Sequence, residues 1–476
     1  MSTTTDHIVL PVELQQLITT EQAWYYNVVP KAVNDKQIEF YANGTSNNSE
    51  LKEELEVIFG KKIVFENVAS EVVQKTLSKY YRKNAGSIDG KQSKIYSNKS
   101  DDFLQSLIEE AKSLGSSDIH VEAFEEKCRV RIRIDGVLIE RYILNKTEYP
   151  SLINKIKIKA NLDIAEKRLP QDGRIFYSSG DMKFDIRVSI LPTLHGEKIV
   201  LRLLSNDATG INIEQLGFSE TDLKNYMAGI KKPNGILLIS GPTGSGKTTT
   251  LYATLNILNS EKTNILTIED PIEYTLEGIN QVQLKENIGL TFASALRTFL
   301  RQDPDIIMLG EIRDAETAQM AIRAALTGHL VLSTIHTNSA WGTVSRLLDM
   351  GVAPFLLANT LNTTVAQRLV RLLCPECKTK EKFKKELLPK NFPITEEVKE
   401  HFVPHGCESC YYTGYKGRKA IYEVIPIDYE FANQIKDNNH NIDTLLKSRN
   451  IKGLIENAYA LFRNGETSLE EVLKNY

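Results

Sequence analysis

The chain has 476 residues, with 58 Lys and Arg against 61 Asp and Glu and a formal net charge of −3. That balance gives no global basis for nucleic-acid binding, and no apolar run approaches the length needed to cross a bilayer. The length predicts three or so domains. The N-terminus, Met1 to His7, lacks the charged start and apolar core of a secretory signal, so a cytoplasmic location is expected.

Residues 1–85 form a first block. Ser49 to Phe59 is a charged run with apolar residues at helical spacing, and Ser70 to Tyr81 is a second predicted helix. Residues 86–100 continue a polar stretch rich in Gly, Ser, Asn and Lys that begins at Arg82 and reads as a linker. A mixed block follows at 101–208. Asp101 to Leu114 is amphipathic, with Phe103, Leu104, Leu107, Ile108 and Ala111 on one face. The period then switches to two. Cys128, Val130, Ile132 and Ile134 alternate with Arg129, Arg131 and Arg133, and Asp135-Gly136 supplies a hairpin turn into Val137 to Ile139. Further strands are predicted at Arg174 to Tyr177, Phe184 to Ile190 and Ile199 to Leu204.

In the block 209–370, apolar strands at 236–239, 264–268, 306–309 and 330–334 alternate with helical stretches, the βαβ pattern of a parallel sheet. Between the first strand and its helix lies Gly241-Pro242-Thr243-Gly244-Ser245-Gly246-Lys247-Thr248-Thr249, which fits the P-loop pattern in its required strand–loop–helix context. Glycines let backbone amides turn toward phosphate oxygens, and the helix N-terminus adds partial positive charge. Lys247 reaches the β- and γ-phosphates, and the Thr248 hydroxyl is placed for Mg²⁺.

Two further strands end in acids. The segment Asp305 to Asp314 carries Glu311 just past a buried strand, the position from which P-loop enzymes present a carboxylate to Mg²⁺ and the attacking water. The segment Asn264 to Glu273 ends in Glu269, Asp270 and Glu273, any of which could serve as a general base. His329 and His336 bracket another strand, as two polar strand ends or as a γ-phosphate sensor.

Cys374-Pro-Glu-Cys377 and Cys407-Glu-Ser-Cys410 form two CxxC pairs with 29 residues between them, a spacing suited to tetrahedral Zn²⁺. A redox pair is the alternative. The fifth cysteine, Cys128, lies in a strand, and His401 and His405 are not expected to bind metal. Residues 371–420 read as a tetracysteine zinc module and 421–476 as a helical C-terminal region.

The order P-loop, Thr267 to Glu273, Gly310 to Asp314, then Thr327-Gly-His329 to Thr337 resembles the secretion ATPase superfamily, the hexameric motors of type II secretion, type IV pili and related machines. In that family the boxes are Walker A, Asp box, Walker B and His box. The likeness spans roughly 100–425. Upstream, Ser117 to Glu122, Arg168 to Arg174, Asp185 to Ser189 and His195 to Leu203 look like its smaller α/β domain. The resemblance implies an α/β architecture: a RecA-like P-loop ATPase domain, a smaller α/β (PAS-like) domain before it, a tetracysteine zinc insert and a helical C-terminus. It implies ATP and Mg²⁺ as ligands, and residues 241–249 with His329 as nucleotide-binding. Lys247, Glu269, Glu311 and His336 become catalytic candidates, joined by Arg187 and Arg202 arriving from the smaller domain. It further implies a homohexamer held peripherally at the inner membrane by platform partners. The tetracysteine insert is typical of secretion and pilus-assembly members, whereas retraction motors look shorter and lack it. The N-terminal block distantly resembles half of the small N-terminal domain of assembly ATPases. The expected function is an ATPase powering pseudopilus or pilus assembly, with a retraction motor or a zinc-ribbon nucleic-acid motor as alternatives. A non-enzymatic nucleotide-binding scaffold sits poorly with Lys247, Thr248 and Glu311. The hinge between the two main domains is expected near Ser205 to Ile213.

Overall fold

The computed structural model describes residues 8–475 apart from 9, 11–13, 15–16, 19, 35–36, 44–47, 82–93, 96–102, 126, 181, 205–211, 385–386, 390–391, 393–397 and 440. Most of the expected linker and of the expected hinge therefore lies outside the described residues. The chain divides into two units, residues 1–97 with 139–144, and the remainder.

In the first unit, β1 (Val28–Val33), β2 (Gln37–Asn43) and β3 (Lys62–Val68) form a sheet in that order. The β2–β3 pair is parallel, which demands a crossover, and α1 (Asn48–Phe59) supplies it. With α2 (Ser70–Tyr80) it buries Leu55 and Leu77 against Phe40 and Ile63. Both helices stand where apolar spacing predicts them. β4 (Lys94–Ile95) follows.

The second unit opens with α3 (Phe103–Ser113), whose buried residues are the five that periodicity selects. β5 (Asp118–Ala123) and β6 (Cys128–Ile134) follow, then the Asp135–Gly136 turn with positive φ at both residues, then β7 (Val137–Leu144), whose residues 139–144 are counted with the first unit. After α4 (Tyr149–Lys159) come β8 (Gln171–Ser179), β9 (Met182–Thr193) and β10 (Gly196–Leu204). Five of these strands pair antiparallel in the order β6-β5-β10-β9-β8. One face of this sheet is apolar, with Ile119, Val130, Ile175, Ile186 and Leu201 buried, and the other carries arginines and acids. Gly173 is required by packing, since a Cβ there would stand 2.8 Å from the Ala160 carbonyl oxygen.

The larger sheet runs β13-β12-β14-β15-β11-β16-β19. Its strands are β11 (Gly235–Ser240), β12 (Ile265–Glu269), β13 (Asn280–Gln283), β14 (Ile306–Leu309), β15 (Leu330–Ile335), β16 (Leu361–Leu373) and β19 (Tyr415–Pro426). The first six are mutually parallel and β19 closes the edge antiparallel. Ile236 and Leu238 join one core while Leu237 and Ile239 join the other, so the sheet is covered on both faces. This is why its strands read as apolar runs rather than alternations. β16 passes residue 370 and pairs with β19, so the cysteines occupy an excursion between two paired strands. Among its described residues, that excursion contains the two-stranded ribbon of β17 (Thr379–Lys382) and β18 (Glu400–Val403) and a short 3-10 turn at Glu408–Cys410. After β19 the chain is helical, and Phe431, Ala458, Phe462 and Val472 enter the same core.

Candidate nucleotide site and tetracysteine cluster

Parallel strands in register bring their C-terminal ends to one edge. Ser240 of β11 lies opposite Ile335 of β15, and Leu309 of β14 opposite Ser333. The P-loop, Glu311 and His336 leave from that edge. At Gly241, with φ +153°, a Cβ would stand 2.5 Å from the Gln367 carbonyl oxygen, so only glycine fits. Gly244 and Gly246 also have positive φ, and α5 (Lys247–Leu258) begins directly after them. Lys247 Nζ donates to the carbonyls of Gly241 (2.8 Å) and Pro242 (3.1 Å). Burial pulls the lysine below its usual pKa, an effect that Glu311 opposes and Arg368 reinforces. The Ser245 hydroxyl is buried and has no hydrogen-bond partner among the described residues. A glycine cradle, an under-compensated ammonium and an orphaned hydroxyl fit a polyphosphate, and Thr248, Pro242 and Thr243 stand exposed at its mouth.

Glu311 is aimed by its neighbours. The Ile312 amide donates to Thr334 O (2.9 Å), and Thr334 Oγ1 donates to Gly310 O (2.7 Å), which pins the post-strand turn to β15. Its carboxylate accepts from Arg313 and lies 3.5 Å from His336 Nε2. Arg313 also reaches Asp270 at 3.6 Å. Lys247, Glu311 and His336 are thus brought together.

The remaining candidates are placed differently from one another. Glu269 is 3% exposed, and its carboxylate accepts from the Tyr252 hydroxyl, Thr267 Oγ1 (2.6 Å) and Gln281 Nε2 (3.0 Å). It anchors α5 to two strands. Glu273 of the same box is half-exposed and lies 3.5 Å from Arg187, whose Nη2 also donates to Ile272 O. Burial holds the Arg187 guanidinium below its ordinary value, with Glu273 opposing. Arg202 is 60% exposed and bonds Asp118 at 2.9 Å. His329 is a correction to the expected nucleotide-binding set. It stands at the opposite end of β15 from the P-loop edge, about 20 Å away along the strand, and its Nδ1 meets Ala324 O (2.9 Å) and Thr327 Oγ1 (3.1 Å).

Residues that sequence reasoning missed come from β16 and β19. Gln367 is 2% exposed; its Nε2 donates to Ser245 O and its Oε1 accepts from Thr250 Oγ1, both at 2.9 Å. Arg368 donates to Asn338 O (3.1 Å), in the loop after His336. Glu423, opposite Ala366, is pushed up to about 7 by burial, with the Ala340 amide and Arg368 opposing. The signal available was Ala420 to Ile425, an apolar strand pattern just after the cysteines.

The four Sγ atoms of Cys374, Cys377, Cys407 and Cys410 all lie within 4.8 Å of one another. Three of the separations are 3.8, 3.7 and 3.8 Å. A tetrahedral ion with metal–sulfur bonds of about 2.3 Å sets sulfur–sulfur edges near 3.8 Å, whereas a disulfide needs about 2.05 Å. Amides of Gly406, Cys407 and Gly414 point at sulfurs from 3.2–3.3 Å, the outer-sphere support thiolates require. The donor set fits Zn²⁺. Cys128 is buried in β6 and takes no part.

Comparison with known proteins agrees with this geometry. The family profile described as Type II/IV secretion system protein matches residues 97–474. Type II secretion system protein E of Pseudomonas aeruginosa is 47% identical over 381 residues, covering 78% of this chain and 74% of that one. Type IV pilus assembly ATPase PilB of Myxococcus xanthus is 47% identical over 367 residues, covering 76% and 65%. Among solved structures, the pilus retraction motor PilT with bound ADP matches at TM-score 0.54 and 26% identity, covering 78% of this chain and 96% of that one. The ATPase DotB of Legionella pneumophila, at TM-score 0.59 and 21% identity, covering 82% and 99%, shares the fold. With its P-loop, strand-end glutamate and histidine assembled at one sheet edge, the chain belongs to the Type II/IV secretion system protein family as an ATPase of the GspE/PilB type.

Proposed function

We propose that the chain is a homohexameric motor in the cytoplasm that hydrolyses ATP to drive pseudopilus or pilus assembly, held at the inner membrane by partners of its secretion or pilus machine. One observation carries the reading: Lys247, Glu311 and His336 converge at the P-loop edge while Arg187 reaches the Asp-box loop from the smaller domain. Residues 241–249 cradle the triphosphate, and Thr248 offers its hydroxyl to Mg²⁺. Mg²⁺ supplies neutralisation of charge on the phosphate oxygens. Lys247 stabilises the charge that develops on the transferring phosphoryl group. Glu311 orients the attacking water and accepts its proton, with His336 and Arg313 holding the carboxylate. Glu269 keeps the Asp-box loop in place through Tyr252, whose hydroxyl also accepts the Glu273 amide (3.3 Å). Arg187 and Arg202 complete the site when the smaller domain closes, so that turnover is coupled to rigid-body motion between the domains. Zn²⁺ in the tetracysteine cluster is structural, since all four positions are protein ligands.

The test is a steady-state ATPase assay on the full chain, with the mass of the assembly measured with and without a non-hydrolysable nucleotide. Mg²⁺-dependent turnover by a hexamer, lost in Lys247→Ala and Glu311→Gln, is the expected result. Unchanged turnover in both folded variants would refute the site.

A further inference from the structure

Strand register on the polar face of the smaller domain aligns more arginines than the two named so far. Arg174 of β8 is directly opposite Arg187 of β9, and Arg187 is directly opposite Arg202 of β10. Continuing across the sheet, Arg202 faces Asp118 of β5, and Asp118 faces Arg133 of β6. Directly opposed residues project from the same face, their Cβ atoms about 4.5–5.5 Å apart. The result is one row holding four guanidinium groups and one carboxylate.

Such a row is costly for folding alone. Like charges directly opposite one another destabilise a sheet pair. Asp118 is already shared between Arg202 (2.9 Å) and Arg133 (3.5 Å), and Glu273 serves Arg187. Arg174 is exposed and has no hydrogen bond or ion pair among the described residues. The flanking positions of the strands are apolar and buried, with Ile175, Ile186, Val188 and Leu201 on the other face, so the row cannot turn away from its face without breaking the core. The row meets the ATPase domain at Ile272 and Glu273, in the loop that follows β12. An excess of positive charge therefore ends at the nucleotide edge.

We propose that Arg174 is a third phosphate-binding arginine, contacting the triphosphate tail beside Arg187 and Arg202. This rests on the reading of those two residues as nucleotide-facing. A guanidinium is suited to the place because its planar fork matches phosphate oxygens and it stays charged beside two like neighbours. The contact strengthens as charge spreads over the γ-phosphate oxygens, so it favours the transition state over bound ATP.

The experiment compares Arg174→Ala, Arg174→Lys and Arg187→Ala in the full chain, reading turnover, affinity for a non-hydrolysable ATP analogue, affinity for ADP with aluminium fluoride, and melting temperature. Arg174→Ala is expected to lower turnover and aluminium-fluoride affinity by roughly tenfold with analogue affinity unchanged. Its melting temperature should hold or rise, because a repulsion is removed. Arg174→Lys should recover part of the loss. Full turnover in Arg174→Ala with Arg187→Ala impaired overturns the role of Arg174 and leaves the other two arginines standing. Full turnover in both overturns the underlying reading as well. A loss in Arg174→Ala that comes with a lower melting temperature, and that Arg174→Lys does not relieve, marks a structural residue and also overturns the proposal.

Discussion

The nucleotide edge and the cysteine excursion hang from the same two strands, β16 and β19, yet they are held by opposite means. At the nucleotide edge β11, β12, β14 and β15 are buried throughout, and side chains such as Gln367 and Glu269 are fixed by two or three hydrogen bonds each. In the excursion, β17 is exposed at all four positions, and the ribbon it forms with β18 has little apolar surface of its own. The excursion leans on the C-terminal helices through Phe383 and His401 against Phe462 and Phe392 against Tyr459, while the four sulfurs and the amides that point at them gather its two ends. One region is built into the buried sheet, while the other rests on the edge of the core and is gathered around four sulfurs. The two should therefore fail independently.

The largest expected effect is at the core-held end. Lys247→Ala should reduce phosphate release by roughly 10²–10³-fold or more, with an unchanged circular dichroism spectrum and full Zn²⁺ content. A folded variant with normal turnover would break the P-loop assignment. Glu311→Gln should retain nucleotide binding in a fluorescence assay while losing hydrolysis by a factor of the same order. Glu269→Gln offers a contrast, because its carboxylate is occupied by three donors. It should cost about 1–3 kcal/mol in urea unfolding along with a smaller loss of turnover. Equal turnover losses in the two glutamine variants, with no change in stability, would reverse the roles given to these acids.

At the other end, elemental analysis should find one Zn²⁺ per chain. Cys374→Ser or Cys407→Ser should lose it and expose residues 375–413 to limited proteolysis. Turnover should fall by less than about tenfold, well short of the Lys247→Ala loss. If zinc loss abolishes turnover outright, the two regions are not separable. A metal-free chain with the four cysteines joined in disulfides would instead establish the redox alternative.

Smaller effects probe the shared strands. Gln367→Leu leaves Ser245 O and Thr250 Oγ1 short of a partner, at about 1–3 kcal/mol, and should raise KM for ATP several-fold with little change in zinc content. Glu423→Gln gives the finest test, through pH. Burial raises this carboxyl from the ordinary 4.5 to about 7, against Arg368, with Glu456 and Asp222 adding to the rise. Stability linked to the protonated form is fully present below pH 4.5 and is lost as pH passes 7. The variant should therefore be more stable than wild type at pH 8, by at most roughly 3 kcal/mol, and nearly equal at pH 5. Urea melts at the two pH values decide it. A constant difference would mean that Glu423 does not titrate in this range.

Much of this was legible in the residues. The five buried positions of α3 follow from 3.6-residue spacing, and the alternation at Cys128 to Ile134 follows from the pleat. The P-loop and CxxC pairs carry their own geometry. β16 was not legible, because Asn362, Thr363, Thr364 and Gln367 are polar residues buried in the middle of a strand, which hides both periodicities. With β16 missed, β19 lost its partner, and Gln367, Arg368 and Glu423 went unnoticed beside the P-loop. His329 shows the limit of motif transfer. It shares a box with His336, but strand length alone separates their chemistry. The arginine row was invisible for another reason: Arg174, Arg187 and Arg202 align only through strand pairing, which spacing along the chain does not encode.

The cysteine excursion leaves and rejoins the sheet almost at a point. The Cys374 amide donates to Gly414 O at 2.9 Å, and Leu373 lies directly opposite Tyr415. Topologically it is an appendix on a hairpin. Residues 375–413 could be excised and the gap bridged by a tight Asn-Gly turn without altering a single hydrogen bond between β16 and β19. The same position would accept a foreign domain, such as a fluorescent reporter, with its ends already side by side.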